Sequence, residues 1–358
     1  MHSHKPGLPE KHITMIKRSL LLFTLLLFTV FFTCESAFAT GQKAVDLVRD
    51  NQPIDINTPK YHKLFTDLEA KGFDRNTLEK LFSNLTVNRK VLKLMDRQWG
   101  KPTPWYAYRA RFLTPSILKQ GKQYLRKFRP TFDRIEKDFG VNREVVVAIW
   151  AMETRFGQNT GDFNMFRSLN TLFAAYPRRS DFFRAELIDY LLLCRRNAFD
   201  PRTIEGSWAG AFGQAQFMPS SFNKHAVDYD DDGIADLIHS RLDVFASIAN
   251  YLHHFGWTLD TPVFIDLGHH LHSPQLEKKA GEGWSNSISW QRLQQLQRVK
   301  LPAPVKGGHL TVVPLDLDPQ KGGGKRYLAG YPNFQAVQHY NHNQKYAAAV
   351  SELAKALQ

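Results

Sequence analysis

Apolar positions change their spacing several times along the chain, and each change marks an element. Through Tyr124, Leu125, Phe128, Phe132, Ile135 and Phe139 they recur at steps of three and four, which places them on one face of a single helix. A second helix starts at Asn142, a good N-cap residue, with Glu144 in its first turn, and runs on through Val145-Val146-Val147-Ala148-Ile149-Trp150-Ala151-Met152. That run is apolar nearly all round, so it predicts a central helix buried on every side. Residues 60–140 as a whole alternate helical patterns with polar turns, and helical spacing returns over residues 181–196, 242–254 and 333–357. Between residues 206 and 221 the composition shifts to Gly, Ala, Gln and Ser, which fits a loop or short sheet. From 261 to 331, β-prone runs such as Val263-Phe264-Ile265 and Leu310-Thr311-Val312-Val313 are separated by Pro and Gly. There is no internal repeat. The pattern predicts a mainly α (α+β) protein: an N-terminal helical region at 40–140, a helical core at 141–260, a small β-containing subdomain at 261–331 and a closing C-terminal helix at 332–358.

One apolar run stands apart. Residues 20–32 are too few to span a bilayer, follow Lys17 and Arg18, and precede Ala37-Phe38-Ala39. That order is the order of a secretory signal, with cleavage expected before Thr40 and Met15 as the expected true start. A lipoprotein signal using Cys34 is the rival, but the residues before it, Phe31-Phe32-Thr33, are bulky where such a site wants small ones. The 358 residues carry a net charge of +13; losing residues 1–39, with four basic and two acidic side chains, leaves +11. Such a charge suits an anionic partner: nucleic acid, a membrane surface or a cell-wall polymer. No RNA-recognition or zinc-finger signature accompanies it, so no nucleic-acid partner is expected. Cleavage would leave Cys194 as the only thiol, so no internal disulfide can form; its apolar helix predicts a buried, inert side chain.

Three stretches carry candidate chemistry. Glu153 ends the apolar helix, where desolvation at the edge of a core raises a carboxyl's pKa and keeps the proton that a general acid needs. Position alone favours the blander reading, a buried Glu paired with Arg155 or another base. The segment Asp228-Tyr229-Asp230-Asp231-Asp232-Gly233-Ile234-Ala235-Asp236 puts carboxylates at positions 1, 3, 5 and 9 of an EF-hand-type loop, Gly at 6 and the Ile234 carbonyl at 7. Five carboxylates this close repel one another unless a cation neutralises them, so calcium is expected. Position 12 is His239, a poor ligand for a hard cation, and Asp243 can close the shell instead. Thirdly, the small residues from Ser207 to Ser221 let a ligand approach the backbone, with Ser207 and Gln216 able to bond hydroxyls or an amide; a tight turn packed on the core is an equal reading. No H-E-x-x-H, G-x-S-x-G or Walker A motif is present.

Together these motifs resemble the lytic murein transglycosylase B family, cell-wall enzymes with a lysozyme-like core. The resemblance runs from Lys101-Pro102-Thr103-Pro104-Trp105 and Tyr108-Arg109-Ala110-Arg111-Phe112 to Tyr340-Asn341-His342. It is most specific at Val147-Ala148-Ile149-Trp150-Ala151-Met152-Glu153-Thr154-Arg155-Phe156-Gly157, at Tyr176-Pro177-Arg178-Arg179, in the segment from Gly210 to Ser221 and in the Asp228 loop. It implies Glu153 as the sole catalytic carboxylate, Ser207 and Gln216 as sugar contacts, and Arg178 with Arg179 on the stem peptide. It further implies Tyr340, Asn341, Tyr346 and Tyr108 along the cleft, and calcium held by Asp228, Asp230, Asp232, the Ile234 carbonyl and Asp243, with Asp236 acting through water.

The resemblance also accounts for a missing partner. Most glycosidases use two carboxylates, yet only Asp162 and Glu205 offer themselves beside Glu153, and neither sits in a motif. A transglycosylase needs no second one, because the 6-hydroxyl of muramic acid attacks the anomeric carbon and leaves a 1,6-anhydro sugar, with the N-acetyl group steadying the cationic centre. The expectation is a periplasmic, monomeric enzyme acting on peptidoglycan strands. A hydrolytic muramidase and a non-catalytic, calcium-stabilised murein-binding module are the alternatives.

Overall fold

The computed structural model describes residues 43–97 and 103–358; the export segment expected over 1–39, and Lys101-Pro102, lie outside them. The helices begin with α1 Pro59–Glu69, α2 Arg75–Phe82, α3 Arg89–Arg97, α4 Trp105–Ala110, α5 Pro115–Lys127, α6 Arg129–Phe139 and α7 Arg143–Thr154. They continue with α8 Met165–Ala175, α9 Ser180–Arg196, α10 Pro219–His225, α11 Arg241–His254, α12 Pro274–Gly281, α13 Trp290–Gln297, α14 Pro332–Tyr340 and α15 Gln344–Leu357. Strands β1 Phe163–Asn164 and β2 Glu205–Gly206 form a minimal antiparallel pair. Strands β3 Phe264–Gly268, β4 Ile288–Ser289, β5 His309–Asp316 and β6 Lys325–Gly330 form an antiparallel sheet in the order β3-β6-β5-β4.

Helix α7 is the axis of the molecule. Val145 through Ala151 are at most 1% exposed, and α5, α6, α11 and α15 pack around it. Each buried Val or Ile there contributes about 1.5–3 kcal/mol by leaving water. Alternation along the sheet divides two cores: Val313, Leu315 and Leu328 face the main core, while Leu310, Val312 and Ala329 face a smaller one with Leu276 and Leu293. The sheet is therefore clamped between the helical body and its own subdomain, whose short helices α12 and α13 the β-prone runs had concealed.

Several local expectations are corrected. The stretch expected as one helix from Tyr124 to Phe139 breaks at Phe128 (φ −105°, ψ 24°), between α5 and α6. Pro130, in the first turn of α6, has no N–H and its ring would strike the Arg126 carbonyl of a continuous helix. The C-terminal helix also divides, at extended Asn341 (φ −146°, ψ 118°), and the Asn343 side chain accepts the Lys345 N–H to start α15. Asn142 stands at the N-cap of α7 without capping it; Glu136 Oε1 accepts the Arg143 N–H at 2.8 Å instead. The Asn142 side chain turns to Asp260 and Trp257. Cys194 is buried as expected, and burial pushes its thiol up to about 12.

Candidate active site

Helix α7 stops abruptly just beyond Glu153. Arg155, Phe156 and Gly157 all take left-handed conformations (φ 49°, 63° and 83°), costly for the two residues with side chains. Three bonds hold this turn: Thr154 Oγ1 donates to the Gln214 carbonyl (2.9 Å), the Gly157 N–H to Thr154 Oγ1 (3.0 Å), and Trp150 Nε1 to Gln214 Oε1 (3.0 Å). A Cβ on Gly157 would sit 2.5 Å from Gln214 Oε1, so glycine is required for the approach as well as for φ. Gln214 is thus the splint of the turn that follows Glu153. Sequence reasoning placed it only inside a small-residue segment, because its partners in this turn, Thr154 and Trp150, lie 60 and 64 positions away.

Glu153 faces a wall of tyrosines rather than a base. Arg155 is exposed and makes no ion pair with it, so that alternative falls. Tyr346, 3% exposed, donates its hydroxyl to Glu153 Oε1 at 2.6 Å. Burial pushes the Glu153 carboxyl up to about 7, against the smaller downward pull of the Tyr346 hydroxyl. The effect is mutual: burial and the nearby Glu153 carboxyl push Tyr108 up to about 12 and Tyr340 and Tyr346 well above the ordinary tyrosine value. Tyr340 stacks near-parallel on Tyr346 (ring centres 6.4 Å apart, 14°) and donates to the Ala215 carbonyl at 2.6 Å. Phe217 and Tyr251 pack against Tyr340, extending the wall beyond what the sequence suggested.

The small-residue segment is fastened beside this wall through Ala215. Gln216 adopts φ 50° and spends both amide protons inside the protein, on the Thr160 and Gly213 carbonyls, which leaves its side-chain oxygen to accept. The Ser207 hydroxyl accepts the Ala211 N–H at 3.0 Å and keeps its own proton to donate. Asn341 lies exposed at the end of α14. Arg178 and Arg179 are exposed beyond the C-terminus of α8, which carries them about 16 Å along its axis from β1. The Arg179 guanidinium lies 4.1 Å over the Phe182 ring, and neither arginine bonds to the group around Glu153. Asp162 and Glu205 are exposed, and no carboxylate is among the groups that shift Glu153.

Directly ahead of α11 the acidic loop is laid out by its own backbone. Asp228 accepts the N–H groups of Asp232 and Gly233, Asp232 that of Ile234, and Ser240 Oγ donates to Asp230. One oxygen each of Asp228, Asp230 and Asp232 fall within 4.8 Å of one another, a hard-oxygen set that fits a calcium ion. Asp243 is fully buried, and its two oxygens accept the Tyr229 and Asp236 N–H groups, tying the loop's start to its end.

With this geometry in place, the comparisons are specific. The transglycosylase SLT domain matches residues 57–355. Membrane-bound lytic murein transglycosylase B of Escherichia coli (strain K12) is 33% identical over 312 residues, 84% of this chain and 83% of that protein. The structure of the E. coli lytic transglycosylase SLT35 in complex with calcium gives a TM-score of 0.73 at 31% identity, covering 86% of this chain and 95% of that one. SltB3 from Pseudomonas aeruginosa, in complex with NAG-anhNAM-pentapeptide, gives 0.69 at 28% identity, covering 82% and 77%. A lone desolvated carboxyl under a tyrosine wall, set in this fold and matched over this length, belongs to the transglycosylase SLT domain family, and the chain is an enzyme of the lytic transglycosylase kind.

Proposed function

We propose that Glu153 is the single acid-base catalyst of a lytic transglycosylase that cuts the β-1,4 bond between MurNAc and GlcNAc in peptidoglycan. The observation that carries this is the Glu153 carboxyl itself: pushed up to about 7, bonded by Tyr346 on one oxygen, and without a second carboxylate. A hydroxyl donating to Oε1 leaves the acidic proton on Oε2, free for the bridging oxygen of the substrate. Transfer of that proton breaks the bond from C1 of MurNAc to the bridging oxygen and releases the GlcNAc hydroxyl. The Glu153 carboxylate then takes the proton of the MurNAc 6-hydroxyl as that oxygen bonds to C1. The proton count closes without water, and the product carries a 1,6-anhydro ring.

Around this centre, Ser207 and the Gln216 oxygen bond the sugar, Tyr108, Tyr340, Asn341 and Tyr346 line its path, and Arg178 with Arg179 meet the carboxylates of stem peptides. Asp228, Asp230 and Asp232, with the Ile234 carbonyl and Asp243, hold calcium, which braces the loop ahead of α11. The ion takes no part in the chemistry. Among the described residues no helix is long and apolar enough to cross a membrane; export through a cleaved signal delivers the enzyme to its polymer in the periplasm.

The test is incubation of the protein with purified sacculi and mass spectrometry of what dissolves. Fragments ending in 1,6-anhydromuramic acid, absent with Glu153→Gln, are expected. Reducing ends would make the enzyme a muramidase, and no fragments from a folded, calcium-loaded protein would make it a binding module.

A further inference from the structure

Among the described tryptophans, Trp284 alone is exposed, at 46%; Trp105, Trp150 and Trp257 are buried and Trp208 and Trp290 half-buried. Exposure of a single apolar side chain is ordinary and carries nothing alone. This one is held still. The Gly283–Ser285 turn that carries it is bonded by Gln344 Nε2 to the Gly283 carbonyl (3.0 Å) and by Gln338 Nε2 to the Trp284 carbonyl (3.4 Å). Its ring meets the edge of His342 at 4.6 Å between centres, two residues beyond Tyr340 of the catalytic wall. The small subdomain thus sets one aromatic side chain against His342, fastened there by α14 and α15.

Beside the indole lies a cavity of about 170 Å³ lined by uncharged polar groups. Ser285 and Ser287 are exposed hydroxyls with no partner among the described residues, and Gln338, 3% exposed, uses only its amide nitrogen there. Gln335 likewise gives its nitrogen to the His309 carbonyl and keeps its oxygen. His339 is the only titratable group in the lining, and burial, then the neighbouring His342, lower its pKa and keep it neutral. A flat apolar face next to neutral donors and acceptors suits a ring with one face of C–H groups and an edge of hydroxyls and an acetamide. It does not suit the charged groups of a stem peptide.

The geometry points to a sugar-ring platform at Trp284 that grips an N-acetylated glucosamine unit of the glycan strand outside the stretch being cut. It rests on the glycan-cleaving function proposed above and adds to it a reason to act on long strands: the platform holds the polymer while Glu153 works on another unit. The Trp284 side chain touches neither Glu153 nor its tyrosines, so the chemistry itself does not depend on it.

The experiment measures calorimetric binding of the β-1,4-linked N-acetylglucosamine hexamer and trimer to the Glu153→Gln protein, with and without Trp284→Ala. Sacculus digestion by Trp284→Ala carrying an intact Glu153 is measured alongside. Trp284→Ala is expected to weaken the hexamer by about 5-fold, the worth of one aromatic stack, and to leave the trimer unchanged. Trp284→Phe is expected to restore most of the loss, which a mere folding defect would not allow, and Trp284→Ala to release soluble fragments from sacculi more slowly. Equal hexamer affinity with and without Trp284 overturns the platform while leaving Glu153's role standing. A loss confined to peptide-bearing sacculi, with hexamer affinity intact, overturns it in favour of a peptide contact. Failure of the hexamer to bind either protein, with sacculi untouched by the wild type, overturns the platform and the proposed function together.

Discussion

Glu153 and the Asp228 loop put the same functional group to opposite ends. At Glu153 one carboxyl is walled by tyrosines, receives a single hydroxyl bond and is pushed up to about 7, where it can keep a proton. At the loop, the carboxylates of Asp228 and Asp232 accept backbone N–H groups and stand close to Asp230 near the surface. The difference teaches that solvent and donor count decide a carboxyl's role more than its charge does. Few donors and burial make an acid; many donors and shared negative charge make a cation site.

The sharpest way to break the comparison is to remove the titrating group at one end only. Glu153→Gln is expected to cut turnover of sacculi by about 10³-fold or more, the usual worth of a general acid, with fold and hexamer binding kept. Substituting Asp230 with Asn should leave turnover within a few-fold as long as calcium is in excess. Comparable losses from both changes would mean the loop belongs to the chemistry.

Next in size is removal of the ion. A chelator in excess is expected to lower the melting temperature by about 5 °C, the shift for roughly 2.7 kcal/mol of binding energy at a hundredfold saturation. Melting that ignores the chelator would show that the loop's backbone bonds suffice without a cation.

The two regions also differ in how far the sequence discloses them. The acidic loop is local: its ligand spacing, its glycine and its backbone bonds all fall within the sixteen residues from Asp228 to Asp243, so the pattern in the chain is the pattern in space. The acid's position is half legible. The apolar run of α7 places Glu153 at a core edge, but Tyr346 reaches it across 193 residues, and only family resemblance pointed there. Gln214 was hidden for the same reason, since its bonds to Trp150 and Thr154 follow from packing and from no period. Periodicity also overran breaks, continuing past Pro130 and past Asn341 because apolar spacing was kept on both sides while the backbone changed direction. The exposed Trp284 has no signal at all: exposure is set by what fails to cover a residue.

A third test uses stability instead of rate. The folded protein favours the protonated Glu153, whereas the unfolded chain ionises it near the ordinary 4.5. The stability tied to this group is therefore full below pH 4.5 and is lost as pH rises through 7. Because the residue is partly exposed, about 2 kcal/mol is at stake. Glu153→Gln, neutral throughout, should unfold at higher denaturant than wild type at pH 8 and match it at pH 4. Identical curves at pH 8 would mean that the carboxyl is solvated and no acid at neutral pH.

The finest distinction concerns the one donor that Glu153 does have. The Tyr346 hydroxyl stabilises the carboxylate more than the acid and so holds the carboxyl below where burial alone would leave it. Tyr346→Phe keeps the ring that stacks on Tyr340 and removes only this bond, a change worth about 1 kcal/mol. Glu153 should then hold its proton to higher pH, and the alkaline limb of kcat/KM should move up by somewhat less than one pH unit. At the same time the 2.6 Å bond that leaves the proton on Oε2 is gone, so the plateau should fall by a modest factor. A wall residue that only packs against sugar would change KM and leave the limb where it was. A limb that moves down would show that Tyr346 acts on the protonated form, and the order of acid and base steps would have to be argued again from that sign.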